Sequence, residues 1–151
     1  MIIKSKAFED KGPIPSRYTC DGENISPGLS WSDFPEGTKS FALIAEDPDA
    51  PSGTWVHWVL YDIPENVTEL HEGVLDDEIL PNGARQGLND FKEIGYGGPC
   101  PPKGVHRYFF KLYALDEKPG LKSGLSKKSL LDKIKGHVIA ESEIYGTYSR
   151  R

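Results

Sequence analysis

The chain has 151 residues, of which 37% are hydrophobic and 27% are charged, and its formal net charge is −5 at pH 7. These values are typical of one folded domain, here spanning residues 1–151, and they exclude a disordered chain. The negative charge disfavours bulk attraction to nucleic acid or to an anionic membrane. An anionic ligand would therefore need a local binding site that overrides the overall field.

The N-terminal segment MIIKSKAFEDKGPIP contains neither the apolar h-region nor the small-residue cleavage site of a secretion signal. No apolar run in the sequence approaches the ~18 residues of a transmembrane helix. We therefore expect a cytoplasmic protein that does not insert into a membrane. The sequence does not distinguish a monomer from a homodimer.

Short strands dominate the predicted secondary structure, because 16 Gly and 12 Pro leave little room for long helices. In chain order, strands are predicted over residues 29–31, 40–46, 55–62, 106–115 and 137–148. Residues 83–103 read as a loop that is long for a compact domain, and loops of this length often carry function.

One segment near the C-terminus has the pattern of a short helix. Ser126 is a candidate N-cap, and the following apolar residues recur at helical spacing. Gly136 is placed where such a helix would end. A mainly β chain with one short helix near the C-terminus predicts a sandwich of antiparallel sheets.

The two cysteines, Cys20 and Cys100, match neither a CxxC pair nor a zinc-ligand spacing. Two reduced, buried thiols are the simplest interpretation. A Cys20–Cys100 disulfide is the alternative, and it would suit an oxidising or thermophilic setting.

The strand that starts WVHW follows the Pro-rich loop DPDAPSG. Because side chains alternate along a strand, Trp55 and His57 are predicted to share one face. Val56 and Trp58 are predicted to share the other face.

The strand that starts HRY follows a second Pro-rich loop, GGPCPPKG, and its His106 and Tyr108 are also predicted to share a face. If the two strand starts are neighbours, both imidazoles, the tyrosine hydroxyl and the acids of DPD converge on one small cavity. Imidazole and hydroxyl groups can donate hydrogen bonds to an oxyanion. The same alternation places Arg107 on the face opposite His106 and Tyr108. Asp49 is one carboxylate with which Arg107 could pair.

These motifs together resemble the phosphatidylethanolamine-binding protein family, and more narrowly its short bacterial and archaeal Raf-kinase-inhibitor-like branch. The resemblance spans nearly the whole chain, since TCDGENISPGLSW, ARQGLNDFKEIGYGGPCPP and LLDKIKGHVIAESEIYGTYSR also match. It implies a β-sandwich with one small pocket at its end for a phosphate-like anion or a phospholipid headgroup. It implies binding without an enzymatic reaction and without a cofactor.

Carried over by motif, the resemblance implies a ligand-binding set that comprises Asp47, Pro51, Trp55, His57, Gly98, Pro99, His106 and Tyr108. It also implies a cis peptide bond at Ala50–Pro51. Longer eukaryotic members carry a C-terminal helix beside the pocket, and this sequence ends soon after its last predicted strand. We therefore expect a more open pocket mouth.

Three alternatives compete with an anion pocket. Two histidines and one aspartate could form a facial metal site, but no HxH, HxD or HExxH spacing supports it and no metal is predicted. Ser52 lies near His57, but no GxSxG motif surrounds it, so a hydrolase is disfavoured and no catalytic residue is predicted. The family resemblance also allows a protein that inhibits a serine protease or a kinase pathway through protein contacts.

Overall fold

The computed structural model describes residues 1–150, and its strands form two antiparallel sheets. The elements are β1 (Ile2–Ser5), a 3-10 turn (Ser16–Tyr18), β2 (Leu29–Ser32), β3 (Ser40–Asp47), β4 (Trp55–Pro64), β5 (Glu69–Leu70), β6 (Arg85–Gln86), β7 (His106–Leu115), α1 (Lys127–Ile134) and β8 (Val138–Tyr148). The small sheet has the order β1-β2-β5, and the large sheet has the order β6-β4-β3-β7-β8. The predicted mainly β fold with one short helix near the C-terminus is confirmed.

Both faces of the large sheet are covered. One face packs against the small sheet, where Trp31 contacts Phe41 with ring centroids 5.5 Å apart. The other face packs against α1 through Leu130 and Ile134, which are almost completely buried. This arrangement buries every residue of β3, the central strand of the large sheet.

The predicted elements agree closely with the observed ones. β7 occupies the predicted range, while β3 and β4 continue one and two residues beyond theirs. The Ser126 side chain caps α1 by accepting a hydrogen bond from the Ser129 N–H, and Gly136 has a φ of +87° just beyond the helix. Among residues 1–150, no helix has the length and apolar character needed to cross a bilayer.

A β-bulge at His57 changes the alternation that the sequence predicts for β4. Ala45 lies opposite Trp58 and Glu46 lies opposite Val56, so His57 has no residue opposite it on β3. Val56 therefore packs in the cluster beneath α1, whereas Trp58 packs between the two sheets. The prediction that Val56 and Trp58 share a face is wrong. The bulge inserts His57 between them as an extra residue without a partner on β3, so Val56 and Trp58 point to opposite faces of the sheet.

Cys20 and Cys100 form a disulfide, so the interpretation as two reduced thiols is wrong. The fold brings two residues that are 80 positions apart to a Cα–Cα distance of 5.5 Å. The bond joins the segment after the 3-10 turn to the long loop that precedes β7.

The implied cis peptide bond at Ala50–Pro51 is also wrong, since every peptide bond within residues 1–150 is trans. The turn between β3 and β4 reverses with Gly53 instead, whose φ is +108° and whose N–H donates to the Ala50 carbonyl at 3.1 Å. A positive φ is readily adopted by glycine, so the turn closes without a cis bond.

Replacing both Cys20 and Cys100 with serine is expected to lower the free energy of unfolding by about 2–4 kcal/mol, because the disulfide restricts a long loop in the unfolded chain. Urea denaturation of the wild type and the double variant, each with and without dithiothreitol, measures this effect. The reductant should destabilise only the wild type. Equal stability of all four samples would contradict the prediction.

Candidate functional site

A cavity of about 270 Å³ lies at one end of the large sheet, where the last residue of β3 meets the first residues of β4 and β7. The two histidine-bearing strands are not direct neighbours, because β3 lies between them. β3 runs antiparallel to both β4 and β7, so the end of β3 and the starts of β4 and β7 lie at the same end of the sheet. Asp47 lies opposite Trp55 in this register, which places it between the two motifs.

The cavity is lined by Asp47, Ala50, Pro51, Ser52, Trp55, His57, Phe91, Cys100, Pro101, Pro102, His106 and Tyr108. Six of the eight residues in the expected ligand-binding set line this cavity, so the structure brings both motifs to one site. The other two, Gly98 and Pro99, do not line it. Most of the remaining lining is apolar, so the polar groups are concentrated on the side formed by the three strands.

Gly98 and Pro99 lie behind the cavity wall instead of facing its interior. The Gly98 N–H donates to the Asn24 side-chain oxygen at 2.9 Å, and the Pro99 carbonyl accepts from the Cys20 N–H at 3.1 Å. A Cβ atom at Gly98 would lie 2.4 Å from the Tyr18 carbonyl oxygen. These two residues thus hold the loop close to the N-terminal segment, and the next residues of the loop form the wall.

Asp47 and His106 form a buried pair. The His106 Nδ1 lies 2.6 Å from Asp47 Oδ2, and Asp47 Oδ1 accepts the Asp49 N–H at 2.7 Å. Both oxygens of the Asp47 carboxylate are therefore occupied within the protein. Because His106 uses Nδ1 in this contact, only its Nε2 remains to face a ligand.

Arg107 turns away from the cavity and pairs with Asp49, as one of the sequence-based interpretations proposed. Its Nε and Nη2 atoms each lie 2.9 Å from the Asp49 carboxylate, and its backbone N–H donates to the same group at 2.9 Å. These hydrogen bonds lower the pKa of Asp49 below its usual range. The loop that carries Asp47 is thereby attached to the start of β7.

His57 projects from the bulge into the cavity. Its Nδ1 lies 2.6 Å from the Gly97 carbonyl oxygen. A carbonyl can only accept, so Nδ1 carries the hydrogen and the neutral ring presents the lone pair of Nε2. Burial is the main cause that lowers the pKa of His57 below its usual value, against opposing contributions from Gly97 and Asp47.

Tyr108 supplies a hydroxyl without a partner. The residue is 3% exposed, and within residues 1–150 its oxygen is a buried side-chain atom that makes no hydrogen bond. Its ring stands edge-on to His57 at 5.3 Å and stacks with His106 at 6.4 Å between centroids. Burial raises the pKa of Tyr108, so the group is a neutral hydroxyl that can donate into the cavity.

Phe91 is an aromatic cavity residue that sequence reasoning missed. Its ring lies edge-on to Trp55 at 5.6 Å and to His57 at 5.4 Å. Asn89 Oδ1 accepts the Phe91 N–H at 2.9 Å, and Asp90 Oδ2 accepts the Val56 N–H at 2.6 Å. Through these bonds the Asn-Asp-Phe segment braces the long loop and attaches it to the start of β4. An aromatic residue inside a polar turn was the only local signal for its role.

Among residues 1–150, no three or more His, Cys, Asp or Glu side chains are grouped so as to hold a metal ion. The two cavity histidines are each committed through Nδ1 to an acceptor, His57 to a carbonyl and His106 to Asp47. The arrangement instead offers a hydroxyl donor and two ring nitrogens to a small molecule.

The lowered pKa of His57 predicts that the protein loses stability as the pH falls below 6.5. The unfolded chain then binds a proton that the folded His57 does not, so the free energy of unfolding falls by at most about 1.4 kcal/mol per pH unit for this group. Urea denaturation between pH 5 and pH 7.5 measures the slope.

The matched comparison uses His57→Gln and, as a control, His71→Gln on the exposed surface. The slope should become shallower in the first variant and remain unchanged in the second. Identical slopes in the wild type and His57→Gln would contradict the assignment.

Comparisons with known proteins agree with this arrangement. The sequence profile of the family described as phosphatidylethanolamine-binding protein matches residues 4–149. A UPF0098 protein from Methanothermobacter thermautotrophicus is 56% identical over 150 residues, which cover 99% of each chain. A UPF0098 protein from Aquifex aeolicus is 51% identical over 155 residues, which cover 99% of this chain and 89% of the relative.

Two crystal structures have the same fold. The homologue CT736 from Chlamydia trachomatis matches with a TM-score of 0.92 at 44% identity, covering 99% of this chain and 97% of its own. E. coli YbcL, described as a member of the mammalian family, matches with a TM-score of 0.91 at 39% identity, covering 99% and 98%. The chain with its two-histidine cavity is therefore a member of the phosphatidylethanolamine-binding protein family.

Proposed function

We propose that the protein binds a small phosphoryl-bearing anion, either a free phosphate-like ion or the headgroup of a phospholipid, in the cavity at the end of the large sheet. The observation that carries this proposal is the unpartnered hydroxyl of Tyr108. Buried polar groups almost always have a hydrogen-bond partner, and one that lacks it at a cavity wall is an expected contact for a ligand.

The electrostatics of the cavity support an anion in spite of the net charge of −5. Asp47 is the one carboxylate in its wall, and both of its oxygens already accept hydrogen bonds from His106 and the Asp49 N–H. The Tyr108 hydroxyl can donate a hydrogen bond to an anion. This donor lies in a wall that is otherwise largely apolar, where a hydrogen bond to a charged group is strong.

The size of the cavity supports a small ligand. Its volume of about 270 Å³ lies just below the usual range for small-molecule sites, which is roughly 300–1,000 Å³. Trp55 and Phe91 form one apolar side and Pro101 and Pro102 another. Such a site accommodates a phosphoryl group with a short substituent and leaves a longer chain outside.

The same geometry supports binding without a chemical reaction. A hydrolase of the serine type needs a hydroxyl that is hydrogen-bonded to a basic ring nitrogen. Ser52 is exposed at the rim, and within residues 1–150 its side chain makes no hydrogen bond to either cavity histidine. The cytoplasmic location and the alternative role as an inhibitor of a protease or kinase pathway stay predictions from the sequence.

Replacing Tyr108 with phenylalanine removes only the unpartnered hydroxyl. We expect phosphate affinity to fall roughly 10- to 100-fold, because a hydrogen bond to a charged group contributes about 1.5–3 kcal/mol. Isothermal titration calorimetry with inorganic phosphate measures this change. The free energy of unfolding should not decrease, since the hydroxyl has no partner in the protein.

Tyr113→Phe is the matched control, because Tyr113 lies on the same strand but packs with the cluster beneath α1. Its phosphate affinity should equal that of the wild type. Absence of phosphate and headgroup binding by the wild type would refute the proposal. Turnover of a phosphoester or carboxylic ester above the level of a His57→Ala variant would refute its non-enzymatic part.

A further inference from the structure

We infer that the Cys20–Cys100 disulfide is a redox switch for the cavity. When it is reduced, the wall segment formed by residues 101–105 is released and the ligand binds more weakly. The inference rests on the proposed function and adds regulation of the same site. It follows from the way in which this wall segment is attached to the rest of the fold.

The wall segment has few attachments of its own. Pro101 and Pro102 lack an N–H, and in the part of the chain that the structure describes no hydrogen bond between backbone groups involves residues 101–105. Only Pro101 is buried, whereas the other four residues are exposed. Apart from the packing of Pro101, the segment therefore keeps its position through its two ends.

The C-terminal end of the wall segment is held by β7. His106 pairs with Asp47, and the Arg107 N–H donates to the Asp49 carboxylate. Neither contact involves the disulfide, so this end stays in place in both redox states.

The N-terminal end of the wall segment is held by the disulfide. The nearest hydrogen bonds lie upstream of Cys100, where the Gly98 N–H donates to the Asn24 side chain and the Pro99 carbonyl accepts from the Cys20 N–H. The disulfide is thus the last attachment before the wall segment. Breaking it leaves the segment attached on this side only through the hydrogen bond of Pro99.

The wall segment has open space on both sides. Its inner side faces the cavity through Pro101 and Pro102. Its outer side faces a surface groove of about 720 Å³ through Pro102, Lys103 and Gly104. A segment with space behind it can move outward without displacing packed side chains, and such a movement enlarges the cavity.

A thiol reagent can reach the disulfide, because both cysteines are half-buried and both line a second cavity of about 320 Å³. A dithiol reductant breaks the bond in two displacements. One thiolate of the reductant attacks the sulfur of one cysteine and expels the other as a thiolate, and the second thiolate of the reductant then releases the attacked cysteine. The reductant gives up two electrons and becomes a disulfide, while the two cysteine thiolates take up the two protons that the dithiol loses.

The polar groups of the cavity stay in place when the bond is broken, because His57, His106 and Tyr108 lie on strands of the large sheet. The change affects the apolar wall formed by Pro101 and Pro102. In the oxidised protein this wall is fixed before the ligand arrives, whereas in the reduced protein the ligand must order it, and ordering lowers the affinity. Reduction therefore weakens binding without abolishing it. By linkage, a bound ligand favours the oxidised protein by the same factor.

Isothermal titration calorimetry of the oxidised and the dithiothreitol-reduced protein tests the switch, with inorganic phosphate as the probe for a free ion and glycerophosphoethanolamine as the probe for a headgroup. Counting the free thiols verifies complete reduction, which the carboxylates of Glu23 and Glu93 in the second cavity slow by repelling a thiolate. We expect the affinity for a bound probe to fall at least about fivefold on reduction, the lower end of the usual coupling between linked sites. The Cys20→Ser/Cys100→Ser variant should have the affinity of the reduced protein, with and without the reductant.

Limited proteolysis with trypsin tests the release of the wall segment directly, because Lys103 provides a cleavage site inside it. The bond after Lys103 should be cut faster in the double serine variant than in the oxidised wild type, since cleavage follows the population of the open segment. The bond after Lys122 is the matched control. The Lys122 carbonyl accepts from the Tyr61 hydroxyl at 2.6 Å, and neither residue lines the cavity. Equal cleavage after Lys122 in both proteins separates local release from a general loss of stability.

Equal affinity of the oxidised and the reduced protein for a bound probe would overturn the inference but not the proposed function. Equal cleavage after Lys103 in the wild type and the double serine variant would also overturn it, because the wall segment would then not be released. Failure of both probes to bind in either redox state would overturn the proposed function and the inference together.

Discussion

The complete burial of β3 is the constraint on which the rest of the structure depends. A strand covered on both faces can carry charged side chains only where these are paired. β3 nevertheless ends in two acids that face opposite sides. Glu46 is held on one side by Lys111 at 3.0 Å and Lys127 at 2.5 Å, and Asp47 is held on the other by His106.

These two pairings have different consequences. Glu46 is enclosed by its lysines beneath α1 and stabilises that side of the sheet. Asp47 lies at the cavity, and its partner His106 retains a free ring nitrogen there. Both faces of the sheet therefore pair a buried carboxylate with a basic side chain. The face that carries the cavity differs because one ring nitrogen of the partner, Nε2 of His106, is not used in the pairing.

Burial also sets the chemical character of the other polar groups in the cavity. It keeps His57 neutral and Tyr108 protonated, so that one presents an acceptor and the other a donor. The long loop preserves this arrangement because its own polar groups bind backbone atoms. Asn89 accepts two N–H groups of its turn, and the Cys20–Cys100 disulfide anchors the far end. A wall organised in this way needs little reordering when a ligand binds.

The sequence by itself predicted five of the eight strands and the short helix, because periodicity and caps are encoded by residues close together in the chain. The two Pro-rich motifs carried the family resemblance that gave six of the cavity residues. It did not reveal the bulge at His57, the position of Phe91 in the cavity lining or the position of Gly98 behind the cavity wall. It also left the pairing of Cys20 with Cys100 open. Only the tertiary structure decided these points. Register, ring orientation and disulfide pairing depend on contacts between distant segments, and burial, which sets the protonation state of His57, exists only once those segments are packed together.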